Sequence, residues 1–206
     1  PGPPGQADPA LRLAGVSKSF GALEVLDNVT LDVAQGTAFC LLGRSGTGKS
    51  VMLRHIIGLL KPDRGHVLVH GKKIDELKRQ ELSEVRRSMG FLFQNSALFD
   101  SISVGENVAF PLRRHTDWDN ARILKVAKEK LADVGLEKAF DKMPGDLSGG
   151  MKKRAGLARA MALDPGILLV DEPSAGLDPI TSGEIDDLLV ELKKKGTTLV
   201  VVTHNI

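Results

Sequence analysis

The chain has very little cysteine and few aromatic residues: its 206 residues include one cysteine, one tryptophan and no tyrosine. A single cysteine, Cys40, cannot form a disulfide within the chain, so a disulfide-stabilised fold is excluded. Cys40 lies in the apolar run AFCLL, where we expect a buried and unreactive thiol.

Long apolar runs and an excess of one charge are also missing. The longest apolar runs, ILLV at 167–170 and LVVV at 199–202, are far shorter than the roughly 20 residues that span a bilayer. The N-terminus lacks the charged and apolar segments of a secretory signal. A formal net charge of +2 provides no electrostatic footprint for nucleic acid. These absences predict a cytoplasmic protein that does not bind nucleic acid.

The chain is long enough for one α/β domain with a substantial core. Residues 1–10 are rich in proline and glycine and predict a disordered leader, which places the folded domain at 11–206.

Two kinds of strand pattern follow. Alternating segments near 11–17, 29–33 and 66–70 predict an antiparallel sheet. Continuous apolar runs at 37–42, 89–93, 167–171 and 197–203 predict parallel strands that are buried on both faces. The stretch from about 95 to 162 has helical patterns only and predicts a helical subdomain.

The segment GRSGTGKS at 43–50 fits a phosphate-binding loop in full, between an apolar strand and a helical run. Backbone N–H groups from Ser45 to Val51 can surround a β-phosphate, Lys49 can reach the β- and γ-oxygens, and the Ser50 hydroxyl can bind Mg²⁺. The predicted nucleotide-binding residues of this loop are Gly43, Arg44, Ser45, Gly46, Thr47, Gly48, Lys49, Ser50 and Val51. A glycine-rich turn without a ligand is the competing interpretation.

Polar residues end the other predicted parallel strands, at the sheet edge where open α/β sheets bind ligands. Asp171 can hold Mg²⁺ and Glu172 can activate the attacking water as a general base. His204 can hydrogen-bond near the γ-phosphate, and Gln94 can contact the metal or the water. Without the phosphate loop, the acidic pair would be typical of a helix cap and His204 of a structural histidine.

A second anion-binding pattern occurs about a hundred residues later, in LSGGMKKR at 147–154. Its serine and two glycines precede a predicted helix, whose N-terminus would expose free N–H groups. One bound nucleotide does not require two such places.

Taken together, these motifs resemble the ATPase domains of the ABC family, from Leu11 to the last residue. The resemblance implies a RecA-like ATPase core with an N-terminal antiparallel β subdomain and a helical subdomain, and ATP and Mg²⁺ as ligands. Two such domains pair head to tail in this family, so the second cradle would serve the partner's nucleotide. The resemblance implies that Ser148, Gly149 and Gly150 bind the γ-phosphate across the dimer.

Further roles are carried over by position. Asp178 would link the two sites and Phe20 would stack on adenine, whereas Phe20 would otherwise be predicted as a core residue. Glu172 would be the base and His204 the residue that senses the γ-phosphate. Met151 differs from the glutamine that usually follows the signature glycines.

Three longer segments, at 92–116, 147–165 and 171–181, resemble the ATPases of the Mla and Mce lipid-transport systems. They imply a phospholipid-transporting complex on the inner face of the cell membrane, in which a membrane permease works with an MCE-domain lipid-binding protein. Leu98, Phe99 and Phe110 are expected to be exposed and to suit a permease groove, although core packing explains them nearly as well. Because the ATPase domains of this family continue well beyond the position of His204, we expect a C-terminal truncation.

Two other functions use overlapping residues. An ABC importer subunit for another solute, such as an amino acid, would need the same ATPase site. A soluble ABC protein of DNA repair or translation would need no permease, but such proteins carry two ABC domains or a long coiled-coil insertion. A non-hydrolysing structural role is disfavoured, because every catalytic position is filled.

Overall fold

The structure is a computed structural model that describes residues 8–44 and 46–204. Most of the predicted disordered leader, residues 1–7, lies outside the described residues. Ala10, at its end, is buried, and its carbonyl oxygen accepts a hydrogen bond from the His70 N–H at 3.0 Å.

Within the described residues there are eight strands and six α-helices. The strands are β1 (Leu11–Phe20), β2 (Leu23–Val33), β3 (Ala38–Leu42), β4 (Arg64–Val69), β5 (Lys72–Lys73), β6 (Met89–Leu92), β7 (Ile167–Asp171) and β8 (Thr198–Thr203). The helices are α1 (Lys49–Ile56), α2 (Arg79–Arg87), α3 (Val104–His115), α4 (Asn120–Ala132), α5 (Gly149–Ala160) and α6 (Pro179–Lys194). Short 3₁₀ turns at Glu137–Ala139 and Pro144–Asp146 connect α4 to α5.

The strands form one antiparallel and one parallel sheet. The antiparallel sheet has the order β2-β1-β4-β5, with Leu11 opposite Val33 on one side and Val69 on the other. The parallel sheet has the order β3-β8-β7-β6. In it, β7 and β8 are paired so that Asp171 lies opposite Val202. The predicted antiparallel and parallel strands are thus confirmed as sheets of those two kinds.

The parallel sheet separates two hydrophobic clusters. Strand β7 is buried along its whole length: Leu168 and Val170 pack with the helices α3 to α6, whereas Ile167 and Leu169 pack with α1 and the antiparallel sheet. A strand that is covered on both faces needs apolar side chains at every position, which explains the run ILLV. The segment between β6 and β7 contains α3, α4 and α5 and no strand among its described residues.

Cys40 differs from the prediction, because its side chain is exposed. It lies on β3, the edge strand of the parallel sheet, where exposed Ala38, Cys40 and Leu42 alternate with half-buried Phe39 and Leu41. The described residues therefore cover only one face of this strand. An edge strand can keep an apolar sequence without being buried on both sides.

None of the helices in residues 8–44 and 46–204 is long and apolar enough to cross a bilayer.

Candidate functional site

The carboxyl ends of all four parallel strands carry predicted site residues. Strand β3 leads into the phosphate loop, β6 is followed by Gln94, β7 ends at Asp171 with Glu172 next, and β8 is followed by His204. Because parallel strands end at the same edge of a sheet, the topology brings these segments together.

The phosphate loop turns directly into helix α1. Gly46 and Gly48 have φ values of 83° and 86°, in the left-handed region that favours glycine. Helix α1 begins at Lys49, so the N–H groups of its first turn have no intrahelical partner and are available to an anion. The Thr47 hydroxyl donates to the Arg44 carbonyl at 2.8 Å and braces the loop. Ser45 lies outside the described residues.

Lys49 is buried and folds back onto the loop. Its Nζ donates to the carbonyl oxygens of Gly43 and Arg44, the latter at 2.8 Å, and lies 4.0 Å from Glu172 Oε1. The Gly43 N–H donates to the Thr203 carbonyl at 3.3 Å, which joins the start of the loop to the end of β8. The ammonium is therefore located between the loop and the carboxylate predicted as the base.

Ser50 and Asp171 form a pair of oxygen groups. The Ser50 hydroxyl donates to Asp171 Oδ1 at 2.9 Å, and Asp171 is only 8% exposed. Burial raises the pKa of the Asp171 carboxyl above its usual range, although the Ser50 hydrogen bond opposes this shift. A buried carboxylate whose ionised form is disfavoured by desolvation is a good position for a cation.

Glu172 and His204 lie in direct contact. Glu172 Oε2 accepts hydrogen bonds from His204 Nδ1 at 2.7 Å and from the His204 backbone N–H at 3.2 Å. Glu172 has a φ of 48°, which is uncommon for a side-chain-bearing residue and is typical of functional turns. The two residues predicted to be catalytic are thus brought together by neighbouring strands β7 and β8.

A cleft of about 290 Å³ opens above these groups. It is lined by Phe20, Val25, Gly46, Gly48, Lys49, Ser50, Val51, Gln94, Glu172 and His204. Every one of these except Val25 was predicted. Val25, on β2, also packs against the loop, because a Cβ on Gly48 would lie 2.9 Å from Val25 Cγ1. The sequence signal for Val25 was its apolar side chain two residues after Leu23, because residues i and i+2 of a strand lie on the same face.

Phe20 and Gln94 both line the cleft. Phe20 ends β1, its ring is 45% exposed, and Lys18 Nζ lies 5.6 Å from the ring centroid. Gln94 is exposed two residues after β6. An exposed ring at a cleft is suited to stacking on a planar base.

The LSGG segment does not line this cleft. Ser148 is the N-cap of α5, and its Oγ accepts a hydrogen bond from the Met151 N–H at 3.3 Å. Ser148 and Gly149 are exposed, whereas Gly150 packs against Thr181 at the start of α6. The two predicted phosphate cradles of one chain are therefore separate surfaces.

Asp178 caps helix α6. Its Oδ1 accepts from the Ile180 and Thr181 N–H groups at 3.1 and 3.0 Å, and its Oδ2 accepts from the Thr181 hydroxyl at 2.6 Å. The Thr181 hydrogen bonds lower the pKa of the Asp178 carboxyl.

Two basic residues of α5 were missed by sequence reasoning. Lys153 is 4% exposed and its Nζ donates to the Glu172 carbonyl at 2.8 Å. Burial lowers the pKa of Lys153 to about 8, although Asp171 and Glu172 oppose this shift. Arg159 donates to the carbonyl oxygens of Ser96 and Ala97, two and three residues after Gln94, both at 2.7 Å. Lys153 lies three residues after Gly150 and four before Leu157, on the buried helix face, which was the signal.

An aromatic groove of about 510 Å³ lies near the end of β6. Phe99 and Phe110 are 45% and 48% exposed and their ring centroids are 4.9 Å apart. Phe91 and Phe93 stack nearby at 4.1 Å. Leu98 differs from the expectation, since it is half-buried and packs on the cluster beneath the helices.

Comparison with known proteins identifies the family. Residues 26–175 match the family model described as ABC transporter. The chain belongs to the ABC transporter family. The prediction of an ABC-type ATPase domain is confirmed, and such a domain binds ATP.

Among ABC relatives, the chain is 47% identical over 198 residues to a probable ribonucleotide transport ATP-binding protein, mkl, of Mycobacterium leprae. That match covers 96% of this chain and 57% of mkl, so the chain spans little more than half of that relative. It is 45% identical over 183 residues to the intermembrane phospholipid transport system ATP-binding protein MlaF of Haemophilus influenzae, covering 88% of this chain and 69% of MlaF.

A solved structure supports the ABC fold. The dimeric ATP-binding cassette MJ0796 bound to ADP and Pi superposes with a TM-score of 0.88 at 36% identity, over 95% of this chain and 88% of that one. The predicted α/β fold class of an ABC nucleotide-binding domain is confirmed.

Proposed function

We propose that this chain is the ATP-binding and ATP-hydrolysing subunit of a membrane ABC transporter, with the folded domain at 11–206 and its helical subdomain at about 95–162. The observation that carries the proposal is the convergence of Lys49, Ser50, Asp171, Glu172 and His204 at one sheet edge. Family membership supports the choice of ATP, and Phe20 is suited to stack on its adenine ring.

In the proposed binding step, the loop holds the phosphates. The backbone N–H groups from Ser45 to Val51 surround the β-phosphate in this proposal. Gly43, Arg44 and Thr47 brace the turn. Lys49 exchanges its contacts with the Gly43 and Arg44 carbonyls for phosphate oxygens.

Ser50 and Asp171 suit Mg²⁺. This ion prefers hard oxygen ligands, and the Ser50 hydroxyl and the buried Asp171 carboxylate, which lie 2.9 Å apart, would hold it, with the Gln94 amide oxygen as a further ligand at the cleft. When bound, Mg²⁺ would supply positive charge that offsets the negative charge of the β- and γ-phosphates.

Glu172 acts as the general base in the proposed hydrolysis. The water oxygen bonds to the γ-phosphorus, the bond to the bridging oxygen breaks, and ADP and phosphate leave while the water's proton passes to Glu172. His204 holds Glu172 Oε2, which leaves Oε1 for the water. With Nδ1 facing Glu172, His204 Nε2 is the atom that would contact the γ-phosphate.

This assignment is tested by Glu172→Gln in the purified full-length protein. The substitution keeps the shape of the side chain and removes the base. We expect phosphate release to fall by about 100-fold or more while the Kd for ATP stays unchanged. Glu184→Gln, at an exposed position on α6, is the matched control and should hydrolyse ATP normally. Normal turnover by Glu172→Gln would rule out this base.

A second copy of the chain completes the site in this proposal. Ser148, Gly149 and Gly150 of one copy bind the γ-phosphate held by the other, and Asp178 lies between the two sites. The separation of the LSGG segment from the cleft supports this arrangement, as does the dimeric state of the MJ0796 cassette.

The aromatic groove is proposed as the docking surface for a permease. Exposed Phe99 and Phe110 offer apolar surface that water disfavours, and a membrane partner would cover them. The subunit would then lie peripherally on the inner face of the cell membrane. Phe110→Asp should abolish co-purification with the permease, whereas Leu59→Asp, an exposed apolar residue of 55% accessibility outside the groove, should retain it.

The proposed cargo is phospholipid, with an MCE-domain protein as a further partner, and MlaF supports it by name. The name of mkl supports a ribonucleotide instead, for which the same ATPase site would serve. The experiment is to isolate the complex from gently solubilised membranes. Phospholipid on an MCE-domain protein supports the proposal, a solute-binding protein moves the cargo to a polar molecule, and no membrane partner favours a soluble ABC protein.

A further inference from the structure

Lys153 places a buried ammonium group inside the first turns of α5. Its residue is 4% exposed, and the partner that the structure gives its Nζ is the backbone carbonyl of Glu172, at 2.8 Å. Lysine is rarely buried unless its charge has a specific partner. The adjacent Lys152 is half-buried. A buried lysine aimed at one carbonyl therefore requires an explanation.

The carbonyl that Lys153 contacts belongs to an unusual turn. Glu172 has a φ of 48°, and such a backbone conformation persists only where surrounding contacts impose it. The Glu172 N–H donates to the Val202 carbonyl at 2.9 Å, which fixes one side of the residue to β8. On the other side, the carbonyl receives the Ala175 N–H at 3.3 Å and Lys153 Nζ at 2.8 Å.

The side chain of Glu172 depends on this backbone turn. Its carboxylate meets His204 Nδ1 at 2.7 Å and lies 4.0 Å from Lys49 Nζ. Because the Glu172 N–H is fixed to β8, a change in the φ of Glu172 would swing its Cβ and move the carboxylate away from His204. The shorter of the two contacts on the carbonyl comes from α5, the helix that Ser148 caps.

We propose that Lys153 is a positioning residue for Glu172: its ammonium holds the Glu172 carbonyl, so that helix α5 sets the direction of the catalytic carboxylate. This inference rests on the proposed function, in which Glu172 is the base. Lys153 itself touches neither nucleotide nor water in this proposal. The same helix holds the segment after Gln94 through Arg159, so α5 contacts the backbone beside two cleft residues.

The melting temperature and the turnover of Lys153→Met distinguish a positioning role of Lys153 from a purely structural one. Replacing a buried ammonium by an apolar side chain of similar length removes a desolvation cost and often leaves stability unchanged or raised. A positioning role predicts that Lys153→Met keeps the melting temperature and loses turnover. A structural role predicts a lower melting temperature with normal turnover.

The test compares wild type, Lys153→Met and the matched control Lys152→Met in the full-length protein. For Lys153→Met we expect kcat for ATP hydrolysis to fall about tenfold or more, with the Kd for ATP and the melting temperature not reduced. Lys152→Met should match wild type. Wild-type kcat in Lys153→Met overturns the inference. Absence of hydrolysis in wild type contradicts the proposed function instead.

A crystal structure of Lys153→Met tests the inference without any activity. The expected result is that Glu172 leaves its left-handed conformation and its carboxylate departs from His204 Nδ1. If both the positive φ and the His204 contact persist, Lys153 does not position Glu172. If the variant keeps this geometry but is inactive, the inference is still overturned, because loss of the positive charge alone would then explain the loss of turnover.

Discussion

At the scale of single residues, His55 is a buried histidine on α1 whose ring is held from one side. Its Nδ1 lies 3.0 Å from the Leu60 carbonyl, whereas its buried Nε2 has no hydrogen-bond partner among the described residues. Burial, above all, lowers the pKa of His55 below its usual value. The folded state therefore favours the neutral ring, with Nδ1 as the donor.

This lowered pKa makes stability depend on pH. The unfolded chain takes up a proton near a pH of about 6.5, while the folded chain resists it, so folding loses stability as pH falls below that value. One such group contributes a slope of at most about 1.4 kcal/mol per pH unit. His55→Gln should flatten the decline in the free energy of unfolding between about pH 7 and pH 5. Urea denaturation at several pH values measures this slope.

A matched histidine provides the control. His70 is exposed and has a φ of 47°, a conformation that asparagine tolerates, so His70→Asn should fold normally and keep the wild-type slope. If His55→Gln declines as steeply as wild type, the buried ring does not cause the acid sensitivity.

Residue identities at the cleft were predictable where a motif fixed their spacing. Lys49 and Ser50 begin the helix after the phosphate loop, and Glu172 directly follows β7, so the loop motif and the apolar runs indicate their places. The burial of Lys153 depends on the tertiary packing of α5, and spacing along the helix gave only a weak signal. Cys40 was predicted to be buried because its strand is apolar, but the exposure of an edge strand depends on what covers it.

At the scale of elements, the period of the apolar pattern predicted the kinds of sheet but not all boundaries. Strand β2 begins at Leu23, six residues before the predicted alternating segment at 29–33. The sequence pattern missed this first half because exposed and buried positions do not alternate regularly there. Helix α4 ends at Ala132, three residues before Gly135, whose φ of 68° lies in the left-handed region that ends helices. Helix α6 begins at Pro179, because Asp178 caps it and proline suits the first helical position.

The contact between α5 and α6 depends on the absence of a side chain at Gly150. A Cβ at this position would lie 2.2 Å from Thr181 Cγ2, closer than two carbon atoms can approach. Gly150→Ala should therefore separate the two helices and lower the free energy of unfolding by about 1–3 kcal/mol. Thermal or urea denaturation measures this loss.

Two further variants isolate the cause. Thr181→Ser removes Cγ2 but keeps the hydroxyl that donates to Asp178, so it should recover most of the loss in the double variant with Gly150→Ala. Gly149→Ala meets only Leu177 Cδ2, at 3.4 Å, and should be neutral or slightly stabilising. Additive effects of Gly150→Ala and Thr181→Ser would show that the two side chains do not clash.

At the scale of the whole molecule, the proposed dimer requires the chain to supply half of each of two sites. The cleft contains residues of the phosphate loop, Ser50 of the Ser50–Asp171 pair and Glu172, whereas Ser148 and Gly149 of the LSGG segment are exposed and do not line the cleft. Sequence reasoning could predict both halves from their motifs. The residue patterns alone could not predict that the LSGG segment and the cleft are separate surfaces. That separation follows from the packing of α5 against α6 rather than against the phosphate loop.

If the exposed LSGG segment binds a partner's nucleotide, a bulky residue at Ser148 should block assembly but not binding. In the Glu172→Gln background, which is expected to bind ATP without hydrolysing it, light scattering should show an ATP-dependent dimer. Adding Ser148→Arg should leave monomers with an unchanged Kd for ATP. The substitution also removes the N-cap of α5, at a cost of about 1 kcal/mol. Ser103→Arg removes the equivalent cap of α3 and should still dimerise, which separates lost helix stability from a blocked interface. A dimer that survives Ser148→Arg would mean that the LSGG surface faces away from the partner's nucleotide.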